Sequence, residues 1–255
     1  MSERSSYAPG TPCWVDVSSP DVGASAAFYA GLFGWDIVDL GPDAGGYSMC
    51  AVRGKNVAGI GPHQDPNSSP AWTTYIASDN ADATAETAKA AGGMIVLEPF
   101  DVFDAGRMCF FIDGAGAFTG VWQAGQHIGA QLVNEPGALC WNELTCRDIE
   151  GAKAFYKSVF GWDGVASDAG GFEYVEWQLD GQSVAGMMPM SDDMPSNTRS
   201  HWTTYFAVAD CDASIKKVGA LGGGVVVPPM DSPPGRFAVV SDPFGVSFGI
   251  IALAG

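Results

Sequence analysis

Positive charge is scarce in this chain. Of its 255 residues only 12 are Lys or Arg, against 29 Asp or Glu, which leaves a formal net charge of −17. The basic residues are largely scattered, as at Arg53, Lys89, Arg107, Lys153, Arg199 and Arg236. No basic stripe is present to neutralise phosphates and release their counterions, which excludes a nucleic-acid partner. An anionic membrane surface is excluded for the same reason. Long apolar runs are missing too. The longest, from Phe248 to Ala254, falls far short of the roughly 20 residues a bilayer span requires. The opening Met1–Gly10 has no apolar stretch behind its single Arg, so it does not read as a secretory leader, and a cytoplasmic protein is expected.

Histidine occurs only at His63, His127 and His201. The six cysteines (Cys13, Cys50, Cys109, Cys140, Cys146, Cys211) form neither a CxxC pair nor the Cys/His spacing of a structural zinc site. They read as buried reduced thiols that pack as small hydrophobes. No GxSxG elbow, P-loop or GxGxxG fingerprint is visible. Apolar residues are plentiful at 47%, enough for one or two packed cores and unlike the composition of a disordered chain.

Self-similarity organises the rest. Cys13–Asp36 (CWVDVSSPDVGASAAFYAGLFGWD) matches Cys140–Asp163 (CWNELTCRDIEGAKAFYKSVFGWD) without a gap, at an offset of 127 residues. Further along, NVAGIGP answers SVAGMMP, AWTTYIA answers HWTTYFA, and GRMCFFID answers GRFAVVSD. The chain is a tandem duplication with its boundary near the Asn134–Gly137 turn, giving expected domains at 1–130 and 131–255. Each half is itself double. A strand at Cys13–Val17 leads to a helix from about Asp21 to Phe33 that Gly34 can cap, and further strands end at Pro62. A strand at Trp72–Ala77 then leads to an Ala-rich helix from about Asn80 to Ala91, stopped by Gly92-Gly93, with three more strands to Trp122. The order is βαβββ, four times over, which makes the fold class α+β. Two curved mixed sheets, or half-barrels, are expected, with helices on their outer faces.

Strand alternation assigns faces. Cys13, Val15 and Val17, like Cys140, Asn142 and Leu144, point towards the helix. Trp14 and Asp16, like Trp141 and Glu143, point the other way, and Thr73, Tyr75, Thr203 and Tyr205 share that second face. A sheet with aromatic, hydroxyl and acidic groups opposite its helices reads as the wall of a cavity.

These residues resemble the vicinal oxygen chelate superfamily, which includes glyoxalase I, bleomycin-resistance proteins, fosfomycin-resistance enzymes and extradiol dioxygenases. The resemblance rests on the strand followed by D-x-x-x-[AS]-x-x-FY-x-x-[LV]-FGW, on the Ala-rich helix ending in Gly-Gly, and on the closing Asp242–Gly245 (DPFG). The GTP-x-WV opening, the VAGI-x-P strand and the WTTY strand are most similar to tandem glyoxalase-like actinobacterial proteins often labelled hydroxylases. The resemblance implies the modular fold over nearly the whole chain, and it implies where a metal would sit. Metal-dependent members carry a His or Gln seven residues before the helix-opening Asp, and a Glu seven residues after the Asp of the DPxG-type turn. Those positions hold Trp14 and Trp141, Thr73 and Thr203, and Gly120 and Gly249, with Gly59 and Gly186 at the closing strands of the first modules. None offers a cation ligand, so neither a metal nor any other cofactor is expected.

The four glycines should leave each concavity enlarged, with Trp14 and Trp141 as flat walls for a planar ligand. Alternatively the two tryptophans fill a closed core. Asp16 and Glu143, set beside an indole, are candidate acid/base catalysts, or else rim acids paired to arginine. Arg107 and Arg236 follow a Gly in both copies and can anchor an anionic or phenolic group, or can pair with a nearby Asp. Tyr47 and Tyr174 recur as lining or as outer packing. Asn142, Glu176 and Gln178, which replace Val15, Met49 and Ala51, make the second half the more polar, so that it can hold the richer site. His201 adjoins a strand that can line a cavity, and a metal site built from scattered histidines with Asp16 or Glu143 is the alternative to a metal-free pocket.

The expected function is metal-independent binding of a small planar or aromatic ligand, in drug sequestration or natural-product metabolism and hence in antibiotic resistance or biosynthesis. The alternative is a glyoxalase-like lyase, isomerase or hydroxylase that uses a pocket carboxylate, and a third reading is a structural or interaction protein whose cavities are filled by its own side chains. A monomer or weak homodimer is expected, with a small molecule as its partner.

Overall fold

A computed structural model describes residues 2–65, 68–168 and 173–254. The first half contains β1 (Pro12–Ser19), α1 (Val22–Phe33), β2 (Asp36–Asp39), β3 (Ser48–Val52) and β4 (Lys55–Pro62), followed by β5 (Trp72–Ala77), α2 (Ala81–Ala90), β6 (Met94–Val102), β7 (Gly106–Ile112) and β8 (Phe118–Ala124). The second half repeats the series with β9 (Leu139–Cys146), α3 (Ile149–Phe160), β10 (Asp163–Asp168), β11 (Glu173–Leu179), β12 (Gln182–Pro189), β13 (His201–Ala207), α4 (Cys211–Ala220), β14 (Gly224–Ser232), β15 (Gly235–Ser241) and β16 (Ser247–Leu253). This is βαβββ four times, as the repeats require.

Local chemistry sets the helix ends. Asp21, Asn80, Asp148 and Asp210 each accept the backbone N–H three residues on, satisfying a donor that the helix leaves open. Gly34 and Gly161 close α1 and α3 in the left-handed conformation that glycine adopts without strain. The hairpin turns fall where Gly54 and Gly181 predict them. Arg53–Gly54 and Asp180–Gly181 have paired positive φ angles, and their two-residue reversals match the twist of the strands.

The strands form two eight-stranded mixed sheets, ordered β2-β3-β4-β1-β5-β8-β7-β6 and β10-β11-β12-β9-β13-β16-β15-β14. Neither closes into a barrel. In the middle of each sheet β1 runs parallel to β4, β5 runs parallel to β8, and β1 pairs antiparallel with β5; the second half does the same.

The helix-bearing faces of the two sheets pack together, so each core draws on both halves. One core joins Val15, Val17, Phe28, Tyr29 and Trp35 to Phe206, Val240, Phe248 and Ile250. The other joins Ala85, Phe111 and Val121 to Phe155, Tyr156, Trp162 and Trp177. Between them Asn142 accepts the hydroxyl hydrogens of Thr74 (2.8 Å) and Thr204 (3.3 Å). The polar replacement of Val15 by Asn142 therefore serves the junction of the halves, not a pocket. Five of the six free cysteines are buried. No helix among the described residues is long and apolar enough to cross a membrane.

Candidate functional site

With the convex faces joined, the two concave faces look outward, and each carries one aromatic–carboxylate cluster. In the first, Trp14 Nε1 donates to Tyr47 Oη at 3.1 Å. Tyr47 and Tyr75 then both donate their hydroxyls to Asp16 Oδ2, at 3.1 and 2.9 Å. Strand register assembles the group. Trp14 stands opposite Tyr75, and Asp16 lies between Thr73 on one side and Gly59 on the other. The second face repeats the arrangement. Trp141 Nε1 donates to Tyr174 Oη at 2.8 Å, and Tyr205 Oη donates to Glu143 Oε1 at 3.1 Å. Tyr47 and Tyr174 are thus lining residues rather than outer packing.

Burial beside indole and phenol rings penalises the ionised carboxylates. It pushes Asp16 from the ordinary 3.8 up to about 6, against the opposing pull of the Tyr75 and Tyr47 hydroxyls. Glu143 is raised for the same reason, and the hydroxyls of Tyr174 and Tyr205 oppose the rise. The tyrosine hydroxyls are held well above their usual range, first by burial and then by the adjacent carboxylate. They act as neutral donors. Each face can therefore hold or accept one proton at one carboxyl group, inside an aromatic surround.

Two expectations are corrected here. The glycines do not enlarge the concavities. The rings of Tyr47 and Tyr174 lie over Gly59 and Gly186, and those of Tyr75 and Tyr205 over Gly120 and Gly249, so a Cβ at any of the four would collide with the ring above it. The absent side chains make room for tyrosines, not for solvent. Arg107 and Arg236 are not on the concave faces either. Arg107 forks onto both oxygens of Asp82 at the start of α2 and also reaches Asp101. Arg236 does the same with Asp212 on α4 and Asp231. Both alternate with concave-facing neighbours on their strands and so clamp the helix side.

The faces differ in their cover. On the first, Trp14 is 3% exposed and Tyr75 5% exposed, inside a cluster that takes in Trp122, Ala130, Tyr7, Met49, Met108 and Phe110. The His127 ring also packs against Trp14. This half follows the filled-core alternative. On the second face Trp141 is only partly buried, and no ring packs on it among the described residues; the carboxylate, the threonine and the Tyr47/Tyr174 positions are partly buried on both faces, so the difference lies at the tryptophan. Glu176 lies beside this cluster, accepting from Ser167 (3.1 Å) and Ser183 (2.7 Å), with Gln178 next on the strand. His201 sits exposed at the strand's start and contacts the Arg199 carbonyl. A cleft of about 480 Å³ elsewhere, lined by Met94, Arg147, Asp148 and Arg199 among others, shares no residue with either cluster. His127 lies between the repeats, in no repeated motif, so no periodic signal could have assigned it to the site.

The profile of the Glyoxalase/Bleomycin resistance protein/Dioxygenase superfamily matches residues 13–119 and again residues 130–250. The chain belongs to that superfamily. Among its relatives, the putative glyoxylase CFP32 of Mycobacterium tuberculosis (strain CDC 1551 / Oshkosh) is 43% identical over 260 residues, covering 98% of each chain. The anthracycline biosynthesis protein DnrV of Streptomyces peucetius is 38% identical over 262 residues, covering 97% of this chain and 94% of its own. Among solved structures, the Mn(II)-bound glyoxalase of Novosphingobium aromaticivorans superposes with a TM-score of 0.67 at 14% identity, covering 99% of this chain and 83% of its own. The 2,3-dioxygenase LapB of Pseudomonas sp. KL28 gives 0.66 at 12%, covering 97% and 94%. At such identities the likeness concerns the fold.

Metal-bound members of the superfamily raise the question of fit, and the side chains here do not fit. The indole N–H of Trp14 is a donor already spent on Tyr47, and the glycine positions are covered by tyrosine rings. No group of three or more His, Cys, Asp or Glu converges among the described residues. Each cluster has one carboxylate, already accepting from tyrosine.

Proposed function

We propose that this superfamily member binds a small planar aromatic ligand without a metal, on the concave face of the second sheet, in natural-product metabolism or drug sequestration. The observation that carries the reading is the partly exposed Trp141, held in orientation by Tyr174 and flanked by Glu143 and Tyr205. A fixed indole offers a large apolar contact at little conformational cost, and the carboxyl and phenol groups beside it supply the few polar contacts that orient a ligand. The name of the Streptomyces relative, an anthracycline biosynthesis protein, favours a fused-ring phenolic ligand. The donor set at the superfamily's ligand positions supports metal independence.

The raised pKa of Glu143 favours a second reading, in which the bound molecule exchanges a proton with this carboxyl group as general acid or base. Calorimetric titration with 1,8-dihydroxyanthraquinone tests the first reading. Saturable binding that Trp141→Ala abolishes is the expected result, and binding unchanged in that variant overturns it. Turnover of a bound substrate that survives Glu143→Gln would remove the acid/base reading.

A further inference from the structure

Trp14 and Trp141 are counterparts in the repeat, yet among the described residues only Trp14 is covered by a ring from outside the repeated modules. The His127 imidazole stands 4.4 Å from the Trp14 indole at 86°, and 5.6 Å from Trp122. Its segment is pinned from several sides. Trp122 Nε1 donates to the His127 carbonyl at 2.8 Å, Ala130 N to the Cys13 carbonyl at 2.8 Å, and Tyr7 Oη to the Ala130 carbonyl at 2.6 Å. Gly129, at φ 102°, lies so close to the Cys13 carbonyl that only glycine fits there.

What the segment does not do is satisfy the ring it delivers. His127 Nε2 is buried with no hydrogen-bond partner, and burial lowers the imidazole pKa to about 4, so a neutral ring is inserted. Packing against tryptophan holds it, as packing would hold a bound heterocycle. Among the described residues the second sheet has no such device. The residue that pairs with Ala207 where Trp122 pairs with Ala77 is Ile251, and no ring meets Trp141 among the described residues.

We propose that His127 is the resident occupant of the first concave face, so that the second face alone takes a ligand. That ligand is a planar ring standing edge-to-face on Trp141, carrying a hydrogen-bonding atom that meets Glu143 or its tyrosine neighbours. The last clause rests on the function proposed above; the occupancy of the first face does not. The repeat supplies the logic. The same Trp–Tyr–carboxylate frame occurs twice, and the copy filled by the chain's own ring displays the shape of what the other accepts.

Two measurements decide the matter. In His127→Gly, the vacated space should admit free imidazole. The variant is expected to lose several degrees of melting temperature, to regain most of them on adding imidazole, and to lose that rescue when Trp14→Ala is added, while wild type is unmoved. Separately, wild type should bind one 1,8-dihydroxyanthraquinone per chain. Absence of imidazole rescue, or two sites per wild-type chain, overturns the proposal. Should the glycine variant fail to fold, His127→Ala with imidazole and the wild-type stoichiometry decide the same question. A wild type that binds no anthraquinone counts against the function proposed above, while the rescue experiment still decides whether His127 fills a ring site.

Discussion

Tyr29 in the first half donates its hydroxyl to Asp242 Oδ2 in the second at 3.1 Å, across 213 residues of chain. The repeat supplies the reciprocal bond, from Tyr156 to Asp113 at 2.7 Å. Each aspartate also accepts two backbone N–H groups of its own turn, so a carboxylate that shapes a turn in one half is completed by the other. Tyr29 Oη further accepts from Trp72 Nε1. Tyr29→Phe therefore orphans a buried indole N–H as well as removing a donor from Asp242. We expect a loss of about 1–3 kcal/mol in urea unfolding, with a smaller loss for Tyr156→Phe, because Trp202 Nε1 also donates to Thr119 Oγ1 and keeps that partner. An unchanged denaturation midpoint would contradict the assignment.

The glycine–tyrosine contacts make a second prediction. Gly186→Ala puts a methyl group where Tyr174 Oη lies, and so pushes the phenol off Trp141. A cost of about 1–3 kcal/mol is expected, the usual range for overpacking. Combined with Tyr174→Ala, the change should be less than additive, since the nearest obstruction is gone and only Trp141 Nε1, 2.8 Å from the new methyl group, must still give way. Additive losses in a double-mutant cycle would show that the two residues do not meet.

Asp16 sets a pH dependence. Its folded pKa of about 6 exceeds the ordinary 3.8, so the folded state holds the proton more tightly than the unfolded state. The stability it contributes is complete below 3.8 and is lost as pH rises through about 6. Asp16→Asn cannot ionise and should lack that decline. Comparing urea midpoints of the two proteins across this window is the test, and parallel profiles would contradict it. His127 acts in the opposite sense. Its folded pKa of about 4 lies below the ordinary 6.5, so its contribution is present above 6.5 and is lost as pH falls towards 4; the variant must therefore be compared with wild type at each pH.

Arg107 and Arg236 should matter little to a ligand. Each ties a helix start to the neighbouring hairpin through exposed ion pairs. Such pairs are weak and screened by salt. Replacement by Ala should lower the melting temperature slightly, with a smaller effect at high salt, and leave the anthraquinone titration unchanged. Altered ligand affinity in either variant would place the guanidinium on the concave face after all.

Residue order alone determined the module. The 127-residue repeat, the Asp and Asn N-caps, the glycine stops and the Arg53–Gly54 and Asp180–Gly181 hairpins are all signals within a few residues of where they act, and the strand alternation that put Trp14 and Asp16 opposite Val15 and Val17 is equally local. What lies over those faces is decided between residues far apart in the chain. The Tyr47 and Tyr75 rings fall on Gly59 and Gly120 only once the sheet pairs in register, Arg107 finds Asp82 only when α2 has packed, and Asn142 meets Thr74 only when the halves join. His127 belongs to no module, and only the path of the segment between the halves carries it onto Trp14. Periodicity tells a side chain which face it is on, but whether that face is open or filled depends on which distant ring arrives there, and that is a property of packing in three dimensions.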